Sequence, residues 1–215
     1  MKFLKYITFI FALGLIPVQS GSMLLGNYQE PFRLDLRLKQ DPGRSNKIHR
    51  YFNRMVRSGF NGSMLVTHKG NIIYKNAHGI KNAITRDSLT VQTPFQLASI
   101  SKQFTAAAIM KLQEWGILNY DDKVAAHLPG FPYPEITIRQ LLVHRSGLME
   151  YTYFMDKHIA DKSTYITNAD VLAKINKHAP APYFKPDTHF DYRNTNYVLL
   201  ASIVEHVSGM SFPDF

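Results

Sequence analysis

The chain is 215 residues long, 45% apolar and 13% aromatic, which is enough to bury a sizeable core and excludes disordered and low-complexity classes. It contains no cysteine, so disulfides, thiolate metal sites and a thiol nucleophile are excluded. The formal charge is +9, and the nine histidines show no HExxH or similar spacing, so neither a metal nor a cofactor is called for.

The first residues have the layout of a secretory leader. Lys2 and Lys5 precede an apolar run over residues 7–18 that is short for a membrane span, and Ser20 and Ser22 stand two apart as a signal-peptidase site would have them. Cleavage is expected after Ser22, which would leave a charge of +7 and a periplasmic or secreted protein. An uncleaved N-terminal anchor is the rival reading. Residues 23–44 form a polar lead-in, and a single domain is expected over 45–215.

An amphipathic helix is predicted over residues 45–58, with Arg50, Arg54 and Arg57 on one face and Ile48, Phe52 and Val56 on another. A solvated face explains the arginines, and attraction to an anionic cell envelope is the alternative; an exported chain without a nucleic-acid motif is not expected to bind nucleic acid. Two β-rich runs, 63–67 and 72–75, are separated by Lys69-Gly70-Asn71 and read as an antiparallel hairpin. From Ser99 the apolar period becomes helical, with Phe104, Ala108, Leu112 and Trp115 on the expected stripe and Gly116 as the stop. Asp121 and Asp122 are expected to cap a short segment to Leu128, Thr137 a helix over 138–144, and Thr167 with Asp170 a helix through 171–175. The last helix is predicted over 196–207, with Tyr197, Leu200, Ala201, Val204 and Val207 on its stripe and Gly209 as its stop. Ser211, Pro213 and Asp214 then look like the start of a further helix just before the chain ends, which points to truncation; the frayed tail of a finished domain is the alternative.

Ser99-Ile100-Ser101-Lys102 is an S-x-x-K, a spacing that places a hydroxyl and an amine on one helical face, one turn apart. A serine hydroxyl becomes a useful nucleophile when a neighbouring base takes its proton, and a helix N-terminus adds positive potential where an oxyanion would form. Alone the motif is weak, since Ser99 could simply cap the helix and Lys102 be solvated. Tyr-x-Asn is weaker still and occurs three times, at Tyr51/Asn53, Tyr74/Asn76 and Tyr192/Asn194; only the last lies just before a helix that could face Ser99. The plain alternatives are a core tyrosine with a satisfied hydroxyl and an asparagine cap.

Read in order, three phrases carry a family resemblance. Residues 95–106, FQLASISKQFTA, are similar to the nucleophile segment of class C-type β-lactamases and related serine hydrolases; 137–148, TIRQLLVHRSGL, resembles their LLxHxSGL segment; and 190–197, FDYRNTNY, resembles their Tyr-Ser-Asn region. With the hairpin, the resemblance covers residues 47–215. It implies a mixed α/β fold, an antiparallel sheet flanked by helices plus a mainly helical subdomain, with the last strands and closing helix missing. It also implies an exported serine hydrolase that opens an amide, lactam or ester through an acyl-enzyme, acting on a small-molecule or peptidoglycan-like substrate. Ser99 would be the nucleophile, Lys102 its activator, Tyr192 base and then acid, and Asn194 would orient Lys102 or the substrate. Arg193 departs from the small middle residue usual in the family and would add bulk and charge near the cleft, while Asp187 stands where a Pro-Gly turn is common. The family's third motif, Lys or His followed by x-Gly, has no counterpart after His178, His189 and His206, and one oxyanion donor would be missing with it. Little turnover is therefore expected of the 215 residues by themselves, and a non-hydrolytic penicillin- or peptidoglycan-binding module, or an inactive fragment, is the alternative.

Overall fold

The computed structural model describes residues 37–38, 42–159, 161, 163 and 165–215; the expected leader and its cleavage site lie outside them. The described residues fall into two compact units divided between Leu97 and Ala98.

The first unit contains β1 (Arg37–Leu38), α1 (Pro42–Arg57), β2 (Gly62–His68) and β3 (Asn71–His78), in a sheet of order β1-β3-β2. The β2–β3 hairpin is antiparallel, whereas the two-residue β1 joins β3 in parallel. Lys69 and Gly70 form its two-residue turn with φ of 48° and 73°, the double positive φ of a type I′ connection, so Asn71 belongs to the strand and not to the turn. The register slips once, as Val66 faces Tyr74 and Thr67 faces Ile72. α1 begins at Pro42, three residues before the predicted start, where a preset φ and a missing N–H cost nothing. Its buried Phe52 packs against the rings of Tyr74 and Phe60, at centroid distances of 5.9 and 5.6 Å.

The second unit is built from α2 (Ser101–Glu114), α3 (Val124–His127), α4 (Ile138–Leu142), α5 (Tyr151–His158), α6 (Asn168–His178) and α7 (Asn194–Ser208). α7 is its centre. Leu199, Leu200, Ile203 and Val204 are all fully buried, so its apolar surface is wider than the single predicted stripe. These side chains share one cluster with Ile109 and Leu112 of α2, Ile138 and Leu141 of α4, and Val171 and Ile175 of α6. Each such side chain stabilises the fold by about 1.5–3 kcal/mol through burial, and truncating a fully enclosed one such as Leu200 to alanine should cost about 2–5 kcal/mol.

The helix signals divide into those the structure keeps and those it corrects. Thr137 with Gln140, and Thr167 with Asp170, form complete capping boxes at α4 and α6, and Gly209 ends α7 in the left-handed conformation. Asp121 and Asp122 cap nothing: Asp121 takes a bidentate pair from Arg139, and Asp122 accepts the Asn119 N–H and contacts His127, while α3 starts behind Lys123. The buried face of α2 is Thr105, Ile109 and Leu112, with Phe104 61% exposed, so the predicted stripe was rotated by one residue at its start. α5 has no counterpart among the predicted helices.

Candidate active site

Ser99 does not open α2. It sits in a 3-10 turn, Ala98–Ile100, immediately before the helix, and the hydroxyl of Ser101 fastens that turn by donating to the Ala98 carbonyl at 2.6 Å. Ala98 has φ 46°, a left-handed conformation that costs an alanine about 1–2 kcal/mol. Ile100, the residue before the helix, makes no side-chain cap, so the simple capping role for Ser99 is absent and its hydroxyl is directed elsewhere. Lys102 Nζ donates to Ser99 Oγ at 3.3 Å, as the S-x-x-K spacing anticipates.

The chain returns to this point more than ninety residues later. Tyr192 Oη donates to Ser99 Oγ at 2.7 Å, and Lys102 Nζ donates to Asn194 Oδ1 at 2.7 Å. The ammonium also lies over the rings of Tyr192 and Tyr197, 5.0 and 5.7 Å from their centroids. All four predicted side chains therefore meet at one place. Tyr192 is 45% exposed, not a core aromatic, and Asn194 is the first residue of α7 with its side chain committed to Lys102 rather than to a cap. The other two Tyr-x-Asn pairs are structural: Asn53 donates to His49, and Asn76 donates to the Tyr74 hydroxyl.

The backbone explains the tolerance of a large residue at 193. Arg193 is extended, with φ −134° and ψ 130°, so Tyr192 and Asn194 project to one side and Arg193 to the other. Its guanidinium pairs with Asp191 and lies 5.0 Å over the Tyr183 ring. The added charge expected at this position is thus neutralised by Asp191 and contacts none of the four site side chains. Asp187 adopts φ 66°, and its carboxylate fixes the turn by accepting from Gln140 Nε2 at 2.5 Å and Arg145 Nε at 3.3 Å.

Beneath the site lies a polar layer that motif reading did not assign. His144 is buried, and its Nδ1 accepts from the Arg193 backbone N–H at 3.2 Å and from Asn196 Nδ2 at 3.1 Å; Asn196 Oδ1 in turn accepts from Ser146 Oγ at 2.6 Å. Two donors on Nδ1 require the neutral imidazole protonated on Nε2. Burial, with the nearby Lys102 charge, pushes the His144 pKa below its ordinary 6.5, in agreement with that tautomer. Glu150 is also buried: one carboxylate oxygen accepts the Asn194 N–H at 2.8 Å, and the other caps α5 by accepting from Thr152 N and Oγ1 at 3.5 and 3.3 Å. One carboxylate therefore serves the N-termini of two helices. The spacing Tyr151, Phe154, Met155, His158 behind Glu150 was the available signal for α5.

The electrostatics favour an ionisable phenol. Hydrogen bonding to Lys102 and then to Ser99 lowers the Tyr192 pKa from its ordinary value near 10, and the Lys102 charge acts in the same direction, against burial and the Glu150 carboxylate.

A family model described as Beta-lactamase matches residues 52–215, and the chain belongs to that family. Among relatives, it is 42% identical over 156 residues to penicillin-binding protein 4* of Bacillus subtilis (strain 168), covering 73% of this chain and 34% of that protein. It is 29% identical over 154 residues to a D-aminopeptidase of Brucella anthropi, covering 71% and 29%. A solved structure, a penicillin binding protein from Bacillus halodurans, superimposes with a TM-score of 0.66 at 31% identity, over 76% of this chain and 50% of that one. The chain thus spans about a third of these relatives' sequences and half of that structure.

Proposed function

We propose that the protein is an exported serine hydrolase that cleaves a small amide or ester through an acyl-enzyme on Ser99. The observation that carries this reading is the pair of contacts on Ser99 Oγ, from Tyr192 Oη at 2.7 Å and Lys102 Nζ at 3.3 Å. With Tyr192 as phenolate, the 2.7 Å contact reverses: the serine O–H donates to the phenolate, which takes the proton as Oγ attacks the carbonyl carbon. Lys102 stays an ammonium, stabilising the phenolate and held in place by Asn194. Tyr192 then returns the proton to the leaving nitrogen or oxygen as the carbonyl–leaving-group bond breaks. Water enters and gives a proton to Tyr192 while its oxygen attacks the ester; Tyr192 then passes that proton to Ser99 Oγ as the bond from Oγ to the acyl carbon breaks, releasing the acid and restoring the phenolate. The names of the relatives, a penicillin-binding protein and a D-aminopeptidase, support lactams and D-amino-acid peptides as the first substrates to try. The leader-like residues 1–22 support a periplasmic or secreted location, which N-terminal sequencing of the mature protein would check by the presence or absence of residues 1–22.

The test is covalent labelling by a fluorescent penicillin and a fluorophosphonate, with the adduct mapped by mass spectrometry. Label on Ser99 that disappears in Ser99→Ala is the expected result. Label on another residue, or undiminished label in the variant, overturns the assignment. Stoichiometric acylation without release would favour the alternative instead, a non-hydrolytic binding module or an inactive fragment.

A further inference from the structure

The positive charge of this protein is not spread evenly. Residues 42–97 hold nine Lys and Arg against a single acid, Asp87, whereas residues 98–215 hold eleven against twelve acids. Within the basic segment Asp87 pairs with Lys81, so among the described residues it balances none of Lys47, Arg50, Arg54 and Arg57. That helix contains no Asp or Glu at all. Lys47, Arg50, Arg54 and Arg57 recur at intervals of three and four residues, all exposed, and with Asn53 they line a shallow groove of about 520 Å³. At about 1.5 Å per residue the four cations form a row about 15 Å long on the side away from Phe52. Arg54 also lies 5.7 Å over the Tyr51 ring, and among the described residues none of the four has an acidic partner.

We infer that this row is a binding surface for a flexible phosphate polyanion. Three of its four cations are guanidiniums, which present paired donors matched to phosphate oxygens. A linear polymer fits a groove one helix face wide and three turns long, with one anionic group per cation. A bilayer fits less well: Phe52 is turned into the unit's own sheet and the half-exposed Tyr51 ring lies under Arg54, so the face offers mainly charge, and stable membrane attachment needs a second signal beside charge. The inference is independent of the chemistry at Ser99.

The experiment is anisotropy titration of labelled inorganic polyphosphate with the full chain, at a series of salt concentrations. Releasing counterions at four contacts should weaken binding about 50- to 150-fold between ~50 and ~200 mM salt. Neutralising Lys47, Arg50, Arg54 and Arg57 to Gln, which keeps helix propensity, should abolish both the binding and its salt slope while circular dichroism stays unchanged. A control neutralising Lys75, Lys81 and Arg86 to Gln should retain most of the affinity. Arg50, Arg54 and Arg57 changed together to Lys keeps the charge and should bind several-fold more weakly than the wild type. Equal loss in the control, undiminished binding in the α1 variant, equal affinity for polyglutamate, or tighter binding to phosphatidylglycerol vesicles than to polyphosphate would each overturn the proposal.

Discussion

The imidazole of His144 lies 4.4 Å from the ring of Tyr192, inclined by 34°, so the phenol that reaches Ser99 rests on a buried, neutral base. Protonating that base would put a second cation beside Lys102 and cancel its acceptance of the Arg193 and Asn196 donors. The native His144 pKa is lowered, so the unfolded state binds more protons below about pH 6.5 and stability must fall as pH drops from there through the lowered native value. His144→Phe keeps a stacked ring but leaves the two donors unpartnered, and should cost about 2–3 kcal/mol while flattening this acid limb. Urea midpoints against pH for both proteins provide the check; an equally steep limb in the variant would assign the effect elsewhere.

The depressed Tyr192 pKa has a kinetic counterpart. Labelling of Ser99 should rise with pH along a limb centred below 10, because the phenolate is the competent base. Tyr192→Phe should lower the rate about 100- to 10,000-fold and remove the limb. Lys102→Met removes the ammonium that favours the phenolate and should move the limb upward. A limb that stays in place in the methionine variant would mean that Lys102 does not set it.

Asn194 acts through Lys102. Deleting its Oδ1 in Asn194→Ala removes a hydrogen bond to a charged donor, which is worth about 1.5–3 kcal/mol and corresponds to roughly 10- to 100-fold in labelling rate. Asn194→Asp retains an acceptor but introduces an anion against Lys102 that offsets the charge favouring the phenolate, so labelling should persist with its pH limb shifted upward. Parallel pH profiles for the two variants separate positioning from charge.

Glu150 should be a stability position first. Glu150→Ala removes the acceptor of the half-buried Asn194 N–H and of the exposed Thr152 N–H and should destabilise the protein by about 1–2 kcal/mol. Hydrogen exchange should quicken at the first turns of both α5 and α7. Faster exchange in only one of them would separate the two caps.

Two glycines give a paired comparison. Gly147 has φ 79°, and a Cβ there would lie 2.0 Å from the Phe184 carbonyl oxygen, whereas Gly116 has φ 70° with open space around the same position. Gly116→Ala should cost only the left-handed conformation, about 1–2 kcal/mol, and Gly147→Ala about 3 kcal/mol or more. Denaturation midpoints decide; similar costs would show that the Phe184 backbone yields.

Local chemistry was readable where it repeats at short range. The hairpin, the capping boxes at Thr137 and Thr167 and the glycine stop at 209 are each encoded within a few residues. The S-x-x-K pair and Tyr192/Asn194 became a site only when ordered phrases were compared with a family, since no local rule brings position 192 to position 99. His144 and Glu150 stayed hidden because their roles depend on donors 44–52 residues away, and an isolated His or Glu in a sequence gives no sign of burial. Phe104 misled for the opposite reason: an apolar residue at helical spacing is legible, but the direction in which the core lies is not.

The separation of 93 residues between the two oxygens that meet at Ser99 makes its reactivity a gauge of long-range order. Between those positions the polypeptide builds α2 through α6, and the phenol stands directly before α7, which is docked on all of them. Loss of that docking would release a loop whose closure entropy disfavours chance reunion, so the nucleophile would fall silent before individual helices melt. Progressive labelling during refolding would therefore time the final assembly of the helical unit, with no added probe.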